Sequence, residues 1–369
     1  MASVNDKVIL GLYGIAGLIF GCLLQLFFGM DKWIVMLSWC NVAIVALGVF
    51  ALFMIFEEKL FWAKKTKNIR NKHVVVTGGS SGIGKCVAIL AAKQGANVTI
   101  IARDVQKLER AKHEILQACE NKDTQRVEYL SLDIGGNYET VEKELTDLEN
   151  IMGPIYMLVN CAGLAIGSKI EDTTMENLDK MMRTNFLGTY YCTKAVVPKM
   201  KAAKEGMIVL VSSQAGLLGI FGYSAYCSTK FALRGLAESL AMELRPYNIS
   251  VTLSLPPDTD TPGFAIEELS KPTETKAISE MAKLIKPEVV AEKILKDALA
   301  SNFFSTVGLE GFILTTLCAG MSPIKLIRQL FMQVCLMGPM RLVGAAYLFF
   351  FHRVIDNCKD MREALKKVS

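Results

Sequence analysis

His73-Val74-Val75-Val76-Thr77-Gly78-Gly79-Ser80-Ser81-Gly82-Ile83-Gly84-Lys85 changes character halfway along. It opens as a strand-length run dominated by β-branched residues and continues as a glycine- and serine-rich corner before a helical pattern begins. Glycines at 78, 82 and 84 permit a tight turn and bring backbone close to a ligand. The helix that follows would offer its first N–H groups to a negative charge. Strand, Gly-rich turn and helix in that order predict a pyrophosphate cradle made of Gly78, Ser80, Ser81, Gly82, Ile83 and Gly84, whereas the turn by itself would equally suit an ordinary corner.

Working outward, short runs rich in β-branched residues recur at 98–102, 127–132, 157–160, 207–211 and 249–255, with a seventh expected at 303–307. Longer amphipathic stretches separate them. This alternation predicts an α/β fold: a doubly wound, Rossmann-type parallel sheet of about seven strands, with right-handed crossovers, over residues 72–310.

The second strand runs into Arg103, with Lys107 one turn later. A guanidinium forks onto a phosphate and a lysine adds charge, so the pair points to a 2′-phosphorylated dinucleotide, NADPH/NADP+. Asp104 between them has two readings, a helix cap or a contact to the ribose. Asp133, after the third strand, is placed to meet the adenine edge. Asn160, Ala162 and Gly163 end the fourth strand, where ligands bind in open parallel sheets.

The chemistry falls on Tyr226 and Lys230, four residues apart on a predicted helix and therefore on one face. A neighbouring ammonium is expected to lower the tyrosine pKa and make the phenol a usable proton donor. Ser212 and Ser213 end the fifth strand. Ser213 is the expected hydroxyl beside Tyr226, with Ser212 as the alternative substrate contact. Pro256, Thr259 and Thr261 follow the sixth strand, in Pro256-Pro257-Asp258-Thr259-Asp260-Thr261-Pro262-Gly263.

Thr-Gly-x3-Gly-x-Gly, Asn-x-Ala-Gly, Ser and Tyr-x3-Lys, in this order across roughly residues 72–310, resemble the short-chain dehydrogenase/reductase family. The resemblance implies a catalytic tetrad of Asn185, Ser213, Tyr226 and Lys230. Tyr226 and Lys230 would also meet the cofactor, Ser213 and Tyr226 the substrate carbonyl. Pro256, Thr259 and Thr261 would lie beside the nicotinamide. Cys161 stands where the family often has a second asparagine, and Pro257 where it usually has glycine. Longer strings, including Val211-Ser-Ser-Gln-Ala-Gly-Leu-Leu-Gly-Ile-Phe-Gly222, resemble the branch that reduces long-chain sphingoid ketones. That implies an NADPH-dependent reductase of sphingolipid synthesis at the cytoplasmic face of the endoplasmic reticulum. Another lipid ketone (steroid, retinoid or 3-ketoacyl) would use the same tetrad, and a non-catalytic membrane scaffold is the reading from a different class. Pairing of copies through helices flanking the active site is a family habit.

The ends of the 369-residue chain are its most apolar parts. Uncharged runs at 8–29 and 34–56 are each long enough as helices to cross a bilayer, the first about 33 Å. The basic flank that follows predicts a cytoplasmic domain. The expected division is a membrane anchor at 1–71, a catalytic domain at 72–310 and a membrane-associated segment at 311–369. A signal peptide is the alternative for the first run. In the last segment Lys325, Arg328, Pro339 and Arg341 interrupt the apolar pattern, which favours a re-entrant hairpin or interfacial helices over two ordinary spans. A net charge of +5 gives no reason to expect a nucleic-acid partner, and three isolated histidines give none to expect a metal.

Overall fold

The computed structural model describes the backbone of residues 66–368 and side chains through residue 360. The two N-terminal runs lie outside the described residues. Seven strands form the sheet: β1 (His73–Thr77), β2 (Asn97–Ala102), β3 (Val127–Ser131), β4 (Ile155–Asn160), β5 (Gly206–Val211), β6 (Ile249–Ser254) and β7 (Phe304–Ser305). All neighbours are parallel, in the order β3-β2-β1-β4-β5-β6-β7. The order reverses between β1 and β4, which opens a crevice at their carboxyl ends.

The strands carry continuous apolar runs because both faces of the sheet are covered; β1, β4 and β5 are buried at every position. Alternation along β1 sends Val74 and Val76 to one face and Val75 to the other. The first face meets α1 (Gly82–Lys93), α2 (Val105–Ala118) and a later helix, Pro287–Leu299. The second meets α3 (Tyr138–Met152), then, past the short α4 (Met175–Met181), α5 (Gly188–Ala203) and α6 (Ser224–Leu244). Next come α7 (Pro262–Ser270) and α8 (Thr273–Ser279), and Pro287–Leu299 is α9.

The seventh strand is shorter than the expected 303–307. Beyond Ser305 the Thr306 hydroxyl turns to the Leu255 carbonyl, and Val307 caps α10 (Gly308–Leu317). The packed unit also takes in more chain than 72–310. Lys67 N donates to the Leu299 carbonyl at 2.8 Å, Lys67 Nζ to the Gly206 carbonyl at 2.8 Å, and Ile69 is buried. At the other end α10 runs across residue 310.

Of the two expectations for the C-terminal segment, a hairpin within the stretch from residue 327 is not seen: after the end of α10 and a short linker, that stretch is one continuous 42-residue helix, α11 (Ile327–Val368), with Pro339 inside it. The interrupting residues fall where a helix tolerates them. Lys325 precedes α11 and donates to the Ala300 carbonyl and to Asn302 Oδ1, Arg328 lies in the first turn, and Arg341 lines a cavity. Among the described residues, Ile327–Asp360 is the one helix long and apolar enough to cross a membrane.

Candidate active site

A cavity of about 950 Å³ opens at the carboxyl ends of the strands, at the β1/β4 reversal. Its floor is the glycine corner. Gly78 sits at φ +68° and a Cβ there would come 2.8 Å from Ala162 Cα. A Cβ on Gly84 would meet the Gly78 carbonyl oxygen at 2.5 Å. Any side chain at these two positions would either strain the turn or push helix from strand. Ser81 leaves α1 without a side-chain cap, so N–H groups of the first turn face the cavity wall formed by Ser80, Ser81, Gly82, Ile83 and Gly84. These residues fit a dinucleotide pyrophosphate.

At the end of β2, Asp104 caps α2 by accepting from Lys107 N at 3.1 Å, and Lys107 Nζ pairs with its carboxylate at 3.4 Å. Of its two readings, the cap is the one seen. Arg103, exposed, projects from the corner with no side-chain hydrogen bond or ion pair among the described residues. Asp133 lines the same end, its Oδ1 accepting from Gly135 N.

The end of β4 divides the expected residues. Ala162 and Gly163 line the cavity. Asn160 does not: its side chain is buried beneath α5, Nδ2 donating to Thr193 Oγ1 at 3.1 Å. Strand alternation turns the Asn160 side chain away and brings Cys161 to the wall, which leaves the Asn160 backbone alone for the expected cofactor contact. Thr77 Oγ1 holds this corner by accepting from Cys161 N and Ala162 N.

Ser213, Tyr226 and Lys230 converge on the cavity. The Gln214 N–H bonds the Pro256 carbonyl at 3.0 Å, tying the end of β5 to the segment after β6 and holding Ser213 outward. The Ser213 hydroxyl, which accepts from Ala215 N at 3.1 Å, is close enough to the Tyr226 hydroxyl to favour its ionised form. Ser212 corrects the alternative contact: its hydroxyl donates to the Lys230 carbonyl at 2.9 Å, packed beneath Gly216. Lys230 is buried, its Nζ 3.1 Å from the Val211 carbonyl and 5.6 Å from the Tyr226 ring centroid.

The expected depression of Tyr226 by this lysine is not what the geometry gives. Burial pushes the phenol well above its ordinary value, the Glu267 charge adds to the rise, and only the neighbouring Ser213 hydroxyl opposes it. Lys230 is directed at the Val211 carbonyl and lies over the ring, and burial brings its own pKa down to about 8.

Asn185 sits in a π-helical turn, Met182–Leu187, between α4 and α5. Its Oδ1 accepts from Leu164 N at 2.8 Å, and its Nδ2 donates to the Leu164 carbonyl at 2.9 Å and to Thr229 Oγ1 at 3.0 Å. It thus clamps the strand-end loop to the catalytic helix, with Gly163 between its Oδ1 and Lys230 Nζ. Pro256, Thr259 and Thr261 line the cavity, but both threonine hydroxyls have structural partners. Thr259 donates to the Pro257 carbonyl, and Thr261 caps α7 by accepting from Phe264 N.

Sequence reasoning missed an acidic patch. The Tyr223 hydroxyl donates to Glu267, and the Tyr223 and Tyr226 rings are 5.4 Å apart. Glu267 and Asp258 line the cavity, and burial pushes the Glu267 carboxyl up. Lys271, its side chain fully buried, lies 3.4 Å from Glu267 and also pairs with Glu268, while Asp258 accepts from Ser279. The i, i+3 spacing of Tyr223 and Tyr226 was the available signal; nothing local linked either to residue 267. The outer wall, from α10 and α11, was missed too.

A family model described as short chain dehydrogenase matches residues 72–270. The 3-ketodihydrosphingosine reductase of Bos taurus is 45% identical over 326 residues, covering 88% of this chain and 98% of that protein. The 3-dehydrosphinganine reductase of Danio rerio is 46% identical, covering 86% and 95%. Among solved structures, an alcohol dehydrogenase from the archaeon Thermococcus sibiricus, complexed with 5-hydroxy-NADP, is similar with 27% identity and a TM-score of 0.54, over 64% of this chain and 95% of its own. With the sheet order, the cavity and these matches in agreement, the chain belongs to the short-chain dehydrogenase family.

Proposed function

We propose that the chain reduces the C3 ketone of 3-ketodihydrosphingosine to the alcohol of dihydrosphingosine, with NADPH as reductant. The observation that carries this reading is the single cavity in which Ser213, Tyr226 and Lys230 meet a phosphate-binding corner and a long apolar wall. The names of the relatives in cattle and zebrafish support the substrate, and the NADP analogue in the archaeal enzyme supports the cofactor. The fit of the corner supports it independently: Arg103 and Lys107 would hold the 2′-phosphate, the start of α1 the pyrophosphate, and Asp133 the adenine. NADPH, when bound, supplies the hydride.

The chain's own residues do the rest. Ser213 donates a hydrogen bond to the ketone oxygen, where negative charge grows, and Tyr226 passes its hydroxyl proton to that oxygen. Glu267 and burial keep Tyr226 protonated until then. Lys230, its proton loosened by burial, sits beside the resulting phenolate and replenishes it. Asn185 is a positioning residue, holding Leu164 and Thr229 against the catalytic helix.

Glu267 and Asp258 favour an amino ketone over a steroid, retinoid or 3-ketoacyl substrate, because carboxylates beside Tyr226 complement an ammonium. The apolar surface of α11 supports work at a membrane, with resemblance pointing to the cytoplasmic face of the endoplasmic reticulum and the apolar runs to a division into anchor, catalytic domain and C-terminal membrane segment. The test is reduction of a ketone panel by the full-length chain in detergent with NADPH. The expected outcome is kcat/KM for 3-ketodihydrosphingosine exceeding that for steroid, retinal and 3-ketoacyl substrates by about tenfold or more. A preference for any of the others contradicts the assignment.

A further inference from the structure

Two helices outside the dinucleotide fold each turn one face to the catalytic cavity. From α10 come Ile313, Leu314 and Leu317, and from α11 come Gly344, Leu348 and Phe351. Spacings of three, four and seven place each set along one helical stripe. The same cavity holds Ser213 and Tyr226, so the apolar wall continues from the reacting groups. The opposite side of α11 is also apolar and faces outward: Leu342 is 76%, Phe349 63% and Phe350 52% exposed.

Gly344 is the narrow point. A Cβ there would come 3.0 Å from Leu317 Cδ1, tighter than ordinary contact. Its backbone is helical, without a left-handed φ, so the turn does not call for glycine. Within a helix, glycine costs about 1 kcal/mol relative to alanine. What the residue provides is close approach, with Leu317 packed on the α11 backbone.

We propose that the part of the cavity walled by these two faces is the subsite for the substrate's aliphatic chain, and that the packing of Leu317 on Gly344 closes it and hence sets chain-length selectivity. The inference rests on the reading of the substrate as a long-chain ketone and adds where the chain lies. An aliphatic chain is the occupant that suits these five apolar side chains, with Glu310 and Arg341 reaching the same cavity one turn before each set, in a cavity shared with a ketone-reducing centre.

The experiment uses the full-length chain in detergent, NADPH, and two 3-ketosphingoid bases, one long-chain and one truncated. Gly344→Leu is expected to raise KM for the long-chain base by about tenfold while leaving kcat and KM for the truncated base within about twofold. Adding Leu317→Ala to Gly344→Leu is expected to restore the long-chain KM. Leu314→Phe, which narrows that part of the cavity from the α10 side, provides the same reading should Gly344→Leu fail to fold. NADPH binding, followed by its fluorescence, is expected to be unchanged in all of them. Equal effects on both bases, or none on either, would overturn the chain subsite alone. A wild-type chain that reduces neither base would overturn the substrate reading beneath it.

Discussion

Tyr226 and Lys230 lie on one face of α6, and their surroundings change what the pair does. Burial and one carboxylate set the proton chemistry: burial, with the Glu267 charge added to it, raises the phenol, and burial lowers the ammonium. Replacing Glu267 by Gln removes a charge that favours the neutral phenol, so Tyr226 loses its proton at lower pH. The alkaline limb of the kcat profile for ketone reduction is therefore expected to move to lower pH, while Tyr223→Phe, which removes no charge, leaves it in place. Lys230 gives a second sign. Its folded pKa, about 8, lies below the 10.5 of an unperturbed lysine, so between those values the unfolded chain holds the extra proton and stability rises with pH. Urea melts are expected to show wild type gaining on the order of 3 kcal/mol relative to Lys230→Met across that window. The pair was legible in the sequence because i, i+4 spacing is local; Glu267 was not, because it comes from α7, forty-one residues further along.

The strand–turn–helix corners carry the cofactor site, and they were the most legible elements. β1, the glycine turn and the first turn of α1 are encoded within thirteen consecutive residues, and strand alternation is enough to place Arg103 at the crevice. Alternation also explains where the Asn160 side chain goes: at a strand end, one residue decides between cavity and core, and this side chain took the core side under Thr193. Likewise Ser212 and Ser213 are adjacent in the chain but have separate duties, one bonded to the Lys230 carbonyl and the other lining the cavity beside Tyr226. At the β2–α2 corner, Arg103→Ala is expected to weaken NADPH binding roughly tenfold to a hundredfold and NADH binding little, as read by titration of cofactor fluorescence. Equal weakening of both cofactors would argue that Arg103 does not read the 2′-phosphate.

The described molecule joins a dinucleotide fold to a long apolar helix, and this junction was the least legible feature. Composition marked the C-terminal segment as apolar but could not distinguish one helix from a hairpin. The deciding facts are tertiary: Lys325 is drawn back to Ala300 and Asn302, and Arg341, though exposed, borders the cavity. If the outward face of α11 meets lipid, replacing Leu342, Phe349 and Phe350 together by Asn is expected to reduce flotation with phospholipid vesicles severalfold while NADPH binding persists. Unchanged flotation would assign membrane attachment to other parts of the chain.

The central claim is that Tyr226 protonates a sphingoid ketone as it is reduced. It is tested most directly by following NADPH oxidation and dihydrosphingosine formation together, in detergent, for wild type and Tyr226→Phe. The account predicts stoichiometric product from wild type and a loss of about 10²- to 10⁴-fold in kcat for Tyr226→Phe with NADPH affinity retained. Undiminished product formation by Tyr226→Phe, or none from wild type, would contradict it.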